Sequence, residues 1–158
     1  MAFDLSQLTE EKLEAAARSF ADMSTIRELK GITDGEMEAL YSLGYSFYTT
    51  GRYADAEKVF RFLVLFDHLN AKYWTGLGAV FQVQKRYNEA ITAYGYASFL
   101  DLHNPKPQYF AAECFAAMGD KVNALSALAA LETYCPDGTE IGREYLAKAA
   151  ELKEKLEK

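Results

Sequence analysis

The scarcities of this chain narrow its chemistry first. Only two cysteines occur in 158 residues, Cys114 and Cys135. They lie too far apart for a metal knuckle or a disulfide framework, which fits a reducing, cytosolic setting. Two histidines, His68 and His103, stand without further His, Cys or carboxylates at ligand spacing, so no metal is expected. The longest apolar run, Phe62 to Phe66, is far too short to cross a bilayer, so no membrane insertion is expected. The first seven residues show no basic stretch leading into an apolar one, so no signal peptide is expected either. Lys and Arg number 17 against 23 Asp and Glu, for a net charge of −6. No basic stripe is left to neutralise phosphates, which argues against nucleic acid. Nucleophile elbow, phosphate loop and dinucleotide fingerprint are all missing. Cys114 falls in a helical stretch and reads as a small buried hydrophobe rather than a nucleophile. The chain is therefore expected to be no enzyme and to need no cofactor.

What the chain has in quantity is aromatic side chains, eleven Tyr and ten Phe against one Trp. These recur with a period. Gly44 and Gly78 are 34 residues apart in the similar strings Tyr41-Ser42-Leu43-Gly44 and Thr75-Gly76-Leu77-Gly78. The same step aligns Ala56, Ala90 and Ala124; Phe60, Tyr94 and Leu128; Phe47, Phe81 and Phe115; and Leu63, Ala97 and Leu131. Tyr53 and Tyr87 match, with Lys121 in their column. A fixed interval of this length marks a stack of identical supersecondary units. The order of residue types within each unit matches the tetratricopeptide pattern, with Trp74 in the usual Trp column and Leu40 and Gln108 as its equivalents. The expected fold is therefore all-α: a solenoid of three helix-turn-helix repeats at 37–70, 71–104 and 105–138. Small residues at Gly44/Gly78/Ala112 and Ala56/Ala90/Ala124 let the two helices of a hairpin approach closely, and the aromatics fill the space between hairpins. No hairpin buries its apolar face alone, so the stack forms one cooperative domain.

Boundary signals agree with that register. Thr33-Asp34-Gly35-Glu36 reads as a capping box. Thr50-Gly51 and Met118-Gly119-Asp120 interrupt between helices, and Asn104-Pro105 is an N-cap followed by proline at the first helical position. Asp137-Gly138-Thr139-Glu140 opens a last helix (138–158) with balanced charges, expected to cap the open end of the solenoid with a solvated outer face. Ahead of the repeats, a helical region at 8–31 combines a helix over Thr9 to Phe20 with a short one from Thr25 to Lys30 closed by Gly31. Leu13, Ala16, Ala17 and Phe20 share one face of the first. That face is either a cap packed on the first repeat or a dimer arm, and amphipathic spacing alone does not choose between them.

In tetratricopeptide stacks the first helix of each hairpin lines the concave surface, through roughly its second, fifth, ninth, twelfth and thirteenth positions. Those are Glu38, Tyr41, Tyr45, Tyr48 and Thr49 in repeat one and Lys72, Thr75, Ala79, Gln82 and Val83 in repeat two. Repeat three contributes Lys106, Tyr109, Glu113, Ala116 and Ala117. Tyr41, Tyr45 and Tyr48 project from one face, while Leu40, Leu43, Gly44 and Phe47 occupy the core columns. The tyrosines then face a binding groove, the competing assignment being contact with the N-terminal helices. Tyr rings beside Gly76, Ala79, Ala116 and Ala117 suggest shallow pockets for aliphatic or proline side chains. Tyr hydroxyls, Gln82 and Lys72 would bond the backbone of an extended peptide. A groove that clamps a C-terminal carboxylate would instead carry Lys and Asn where Tyr41 and Tyr45 stand.

The stretches Tyr41 to Tyr48, Gly51 to Glu57 and especially Phe60-Arg-Phe-Leu-Val-Leu-Phe-Asp-His-Leu-Asn70 running into Tyr73-Trp-Thr-Gly-Leu-Gly-Ala79 resemble one family. It is the class II chaperones of bacterial type III secretion, the SycD/LcrH type. The likeness covers roughly residues 8 to 135 and is weakest in the third repeat. It implies a cytoplasmic chaperone without ATPase activity that keeps hydrophobic translocator subunits soluble and competent for secretion. It also implies a short proline- and leucine-containing client segment in the groove, self-association through the N-terminal helices, and, in some members, a transcriptional activator as a further partner. The tyrosines carry over as Tyr41, Tyr45 and Tyr48, and the other groove positions by column. The resemblance makes His68 part of a junction string between hairpins, which implies a structural or groove-edge role rather than a ligand role. The alternative is a general tetratricopeptide scaffold assembling soluble partners.

Overall fold

The computed structural model describes residues 25–136 and 138–158. Among them are eight helices: α1 (Ile26–Lys30), α2 (Asp34–Thr49), α3 (Tyr53–Phe66), α4 (Ala71–Val83), α5 (Tyr87–Leu100), α6 (Pro105–Ala117), α7 (Lys121–Tyr134) and α8 (Glu140–Glu157). The pairs α2–α3, α4–α5 and α6–α7 are antiparallel hairpins, and α8 follows as an unpaired final helix. The helix of 9–20, with Leu13, Ala16, Ala17 and Phe20, lies outside the described residues.

Local chemistry starts and stops these helices where the sequence signals stand. Thr25 and Thr33 each close a reciprocal capping box, with Glu28 and Glu36. Asn70 and Asn104 accept from Lys72 N and Lys106 N, and Thr139 accepts from Gly142 N. The turn inside each hairpin passes through the left-handed region at one residue, Gly51 (φ 78°), Lys85 (φ 60°) and Gly119 (φ 77°), one repeat apart. The second turn thus makes a lysine adopt what glycine does freely.

The hairpins close around matched large and small residues. Ala56, Ala90, Ala112 and Ala124 are fully buried. A Cβ on Gly44 would meet Val59 and Phe60 at 3.1 and 3.2 Å, and one on Gly78 would lie 2.6 Å from the Tyr94 ring. One core runs through α2–α6 around Phe60, Tyr73, Leu77, Phe81 and Tyr94. A second, around Leu128, Leu131, Tyr145 and Ala149, joins α6, α7 and α8.

Curvature can be read from which helices approach each other. α2 touches α4, α4 touches α6, and α6 touches α8, whereas α3 and α5, and α5 and α7, stay apart. The odd-numbered row is therefore the splayed, convex layer. The row α2, α4, α6, α8 is the inner one.

Candidate peptide-binding groove

The concave row brings the expected positions together, but its three tyrosines differ in kind. Tyr45 is open, 55% exposed. Tyr41 is half-buried: its ring sits edge-on to Phe60 at 5.7 Å and 6.1 Å from Tyr73. Tyr48 is also half-buried, 5.9 Å from Tyr53. Tyr41 and Tyr48 are therefore packed against the core while part of each ring stays exposed. Burial raises the hydroxyl pKa of both above the ordinary tyrosine value.

At one lip of the groove, Lys72 donates to Glu38 at 2.9 Å across the α2–α4 step, and its ammonium lies 3.8 Å from the centre of the Tyr41 ring. Thr75 spends its hydroxyl on the Ala71 carbonyl at 2.8 Å. Gly76 opens no pocket: the Phe60 ring of the preceding hairpin occupies that space, and a Cβ would fall 2.2 Å from it. The shallow apolar floor is Ala79, half-buried, and Val83, 38% exposed. Ala116 and Ala117 continue it on α6, the second of them exposed.

Beneath that floor runs a polar chain that sequence columns did not reveal. The buried Tyr94 hydroxyl, on convex-layer helix α5, donates to Gln82 Oε1 at 2.7 Å, and Gln82 Nε2 donates to Glu113 at 3.1 Å. Tyr109 adjoins Glu113, and burial, then that carboxylate, pushes its pKa up to about 12. The Gln82 amide is thereby held in one orientation, leaving one N–H and part of its carbonyl for a ligand. Gln82 and Glu113 stand in adjacent repeats at the twelfth and ninth positions, a diagonal that inspection along single columns passes over.

Leu43 was expected in the core and is instead 44% exposed. Its column mates Leu77 and Ala111 are buried because a preceding hairpin covers them. The first hairpin has none among the described residues, so Ala39, Leu43 and Ser46 form an open face on α2.

The His68 carbonyl accepts the Trp74 indole N–H at 2.8 Å, and His103 Nδ1 lies 3.1 Å from the Tyr134 carbonyl, each tying a junction between hairpins. Cys114 is fully buried, and its thiol is pushed up to about 12 by burial and then Glu113, far from a reactive thiolate. Among the described residues no cluster of His, Cys, Asp or Glu could hold a metal, and no helix is long and apolar enough to cross a membrane.

A family model for the tetratricopeptide repeat matches residues 37–70 and 71–104. The "Low calcium response locus protein H" of Yersinia pestis is 34% identical over 138 residues, covering 84% of this chain and 82% of that protein. The type III secretion translocator chaperone SycD of Yersinia enterocolitica superposes with a TM-score of 0.78 at 33% identity, over 84% of this chain and 98% of that one. A structure of SycD in complex with a peptide of the translocator YopD superposes at 0.74, with 32% identity over 80% of this chain and 95% of that one. The chain belongs to the class II translocator chaperones of type III secretion. The fold is accordingly a tetratricopeptide stack, and the family is one of chaperones and not of enzymes.

In this translocator chaperone the concave row is not the sole apolar surface. Phe62 and Leu65 on α3 and Tyr96 and Phe99 on α5 are exposed on the outer layer, with Tyr96 stacked on Trp74 at 4.6 Å. The outer layer carries its own polar chain, in which Glu57 accepts from Arg61 and from Arg86, each at 2.8 Å, and Arg86 also bonds Glu89.

Proposed function

We propose that this chain is a cytoplasmic bacterial chaperone that holds an extended segment of hydrophobic translocator proteins in its concave groove and so keeps them soluble and secretion-competent. The carrying observation is the pre-set polar floor of Gln82 and Glu113 beside the open apolar surfaces of Tyr45 and Val83 and the half-buried Ala79. An extended strand needs partners for its own N–H and C=O groups, and this floor offers them without reorganisation. The binding of a translocator peptide by the similar SycD supports the same use here. The groove set is Tyr41, Tyr45, Tyr48, Lys72, Thr75, Ala79, Gln82, Val83, Tyr109 and Glu113, with Gly76 as the packing glycine that seats Phe60. The working unit comprises the N-terminal region 8–31, repeats at 37–70, 71–104 and 105–138, and the helix of 138–158.

The open face of α2 at Ala39, Leu43 and Ser46 supports a covering role for the N-terminal helix, through Leu13, Ala16, Ala17 and Phe20, from the same chain or from a second copy in a homodimer. Co-expression with the translocator of the same secretion system tests the chaperone reading. The translocator is expected in the soluble fraction only with this chain present; equal solubility without it favours a general scaffold.

A further inference from the structure

One residue of the polar floor belongs to a layer that no ligand in the groove can touch. Tyr94 lies on α5, is 1% exposed, and packs its ring over Gly78 and 5.6 Å from Phe110. That packing does not require a hydroxyl. One period earlier Phe60 fills the same column, also buried, and meets Gly44 as Tyr94 meets Gly78; one period later the column holds Leu128. A buried hydroxyl costs free energy unless it is bonded, and this one is bonded to Gln82. The inner residue twelve positions earlier changes together with the column: Tyr48 before Phe60, Gln82 before Tyr94, Ala116 before Leu128. Only the repeat with an amide on the inner row sets a hydroxyl beneath it. An amide has two unlike ends, and a half-turn exchanges them. A carboxylate only accepts, so Glu113 draws the Nε2 end, at 3.1 Å. Tyr94 donates to the Oε1 end at 2.7 Å and holds it from the other side.

We propose that Tyr94 is a positioning residue for client binding: its hydroxyl, acting from the outer layer, fixes the Gln82 amide so that the free N–H of Gln82 is presented to a backbone carbonyl of the extended client segment. This rests on the groove reading above and names the donor within it. Without the hydroxyl, Gln82 keeps Glu113 but its carbonyl end loses its anchor. The side chain then regains rotamers that it must give up again on binding. The client feels the loss although it never touches Tyr94.

The full chain is titrated with overlapping peptides of the translocator of the same secretion system, and the binding peptide is then titrated into Tyr94→Phe, Gln82→Met and the double variant. Phe60 shows that the column accepts phenylalanine, so Tyr94→Phe is expected to keep its helicity. It should bind about three- to tenfold more weakly than the parent, the scale of one hydrogen bond. In the Gln82→Met background the same change should have no effect, because the group it positions is gone. A merely structural loss would appear equally in both backgrounds. Should Tyr94→Phe lose helicity, the side-chain amide resonances of Gln82 in the parent give a second reading: on peptide addition the proton facing away from Glu113 is expected to move and its partner to hold. Equal binding by parent and Tyr94→Phe, the same loss with and without Gln82, or amide protons that move together or not at all overturns the positioning role and leaves the groove standing. Failure of every peptide to bind the parent overturns the groove reading and this proposal together.

Discussion

Repeats one and two solve their packing in one way and repeat three in another. In the first two, an aromatic ring (Phe60, Tyr94) meets a glycine (Gly44, Gly78), whereas the third sets Leu128 in the aromatic column and Ala112 in the glycine column. Arg52 and Arg86 lie over Phe47 and Phe81 at 4.3 and 4.5 Å and bond to Asp55 and Glu89. In the third repeat Asp120 stands in the arginine column and caps α7 directly by accepting from Asn123 N at 3.1 Å. Columns change in sets because the volume lost at one site must be supplied at its neighbour. The repeat that departs from the shared solution is also the one that receives α8.

The largest test of this contrast is Gly78→Ala. The new methyl would fall 2.6 Å from the Tyr94 ring, and urea unfolding is expected to show a loss of about 1–3 kcal/mol. Combining it with Tyr94→Leu, which imports the pairing of repeat three, should lose about 1 kcal/mol less than the sum of the two single changes. Strict additivity would show that glycine and aromatic are not a matched pair.

Next in size is the division among the groove tyrosines. Tyr41→Ala should cost about 1–2 kcal/mol of stability, because its ring is packed on Phe60 and Tyr73. Tyr45→Ala should stay within about 0.5 kcal/mol of the parent in a thermal melt and still weaken peptide binding. Equal melting of the two would remove the distinction between core-facing and groove-facing rings.

The hairpin turns offer a smaller effect of opposite sign. Lys85→Gly should stabilise by about 0.5–1 kcal/mol by relieving a left-handed lysine, while Gly51→Ala should destabilise by about 1 kcal/mol. The smallest effect is on pH. The bonds from the Asn123 side chain and backbone hold the Asp120 carboxyl below its usual value of 3.8. A depressed folded pKa gives stability that is present above that value and lost as pH falls through the lower, folded one. The melting advantage of the parent over Asp120→Asn should therefore be constant near pH 6 and shrink below about pH 4.

Much of this fold is legible in the sequence because the determining contacts repeat. Small residues at Gly44, Gly78 and Ala112, caps at Thr33 and Asn104, and the Gly51 and Gly119 turns are local or one period apart, so simple alignment exposes them. Leu43 and Gly76 read wrongly for a shared reason. Both face a neighbouring hairpin, and what they meet depends on where the stack begins and how it curves. Gly76 receives Phe60 from the hairpin before it, and Leu43 has no such hairpin. The Tyr94–Gln82–Glu113 chain crosses layers and repeats diagonally, which no column records. The inner face of α8, where Tyr145 and Ala149 are buried, was hidden by the balanced charge of the helix as a whole.

Amide chemical-shift mapping of the full chain with a translocator peptide tests the concave groove most directly. The account predicts that the largest shifts fall on the inner row, at Tyr45, Ala79, Gln82 and Glu113, with the outer layer unmoved. Shifts concentrated instead at Phe62, Leu65, Tyr96 and Phe99 would place the client on the convex face and contradict it.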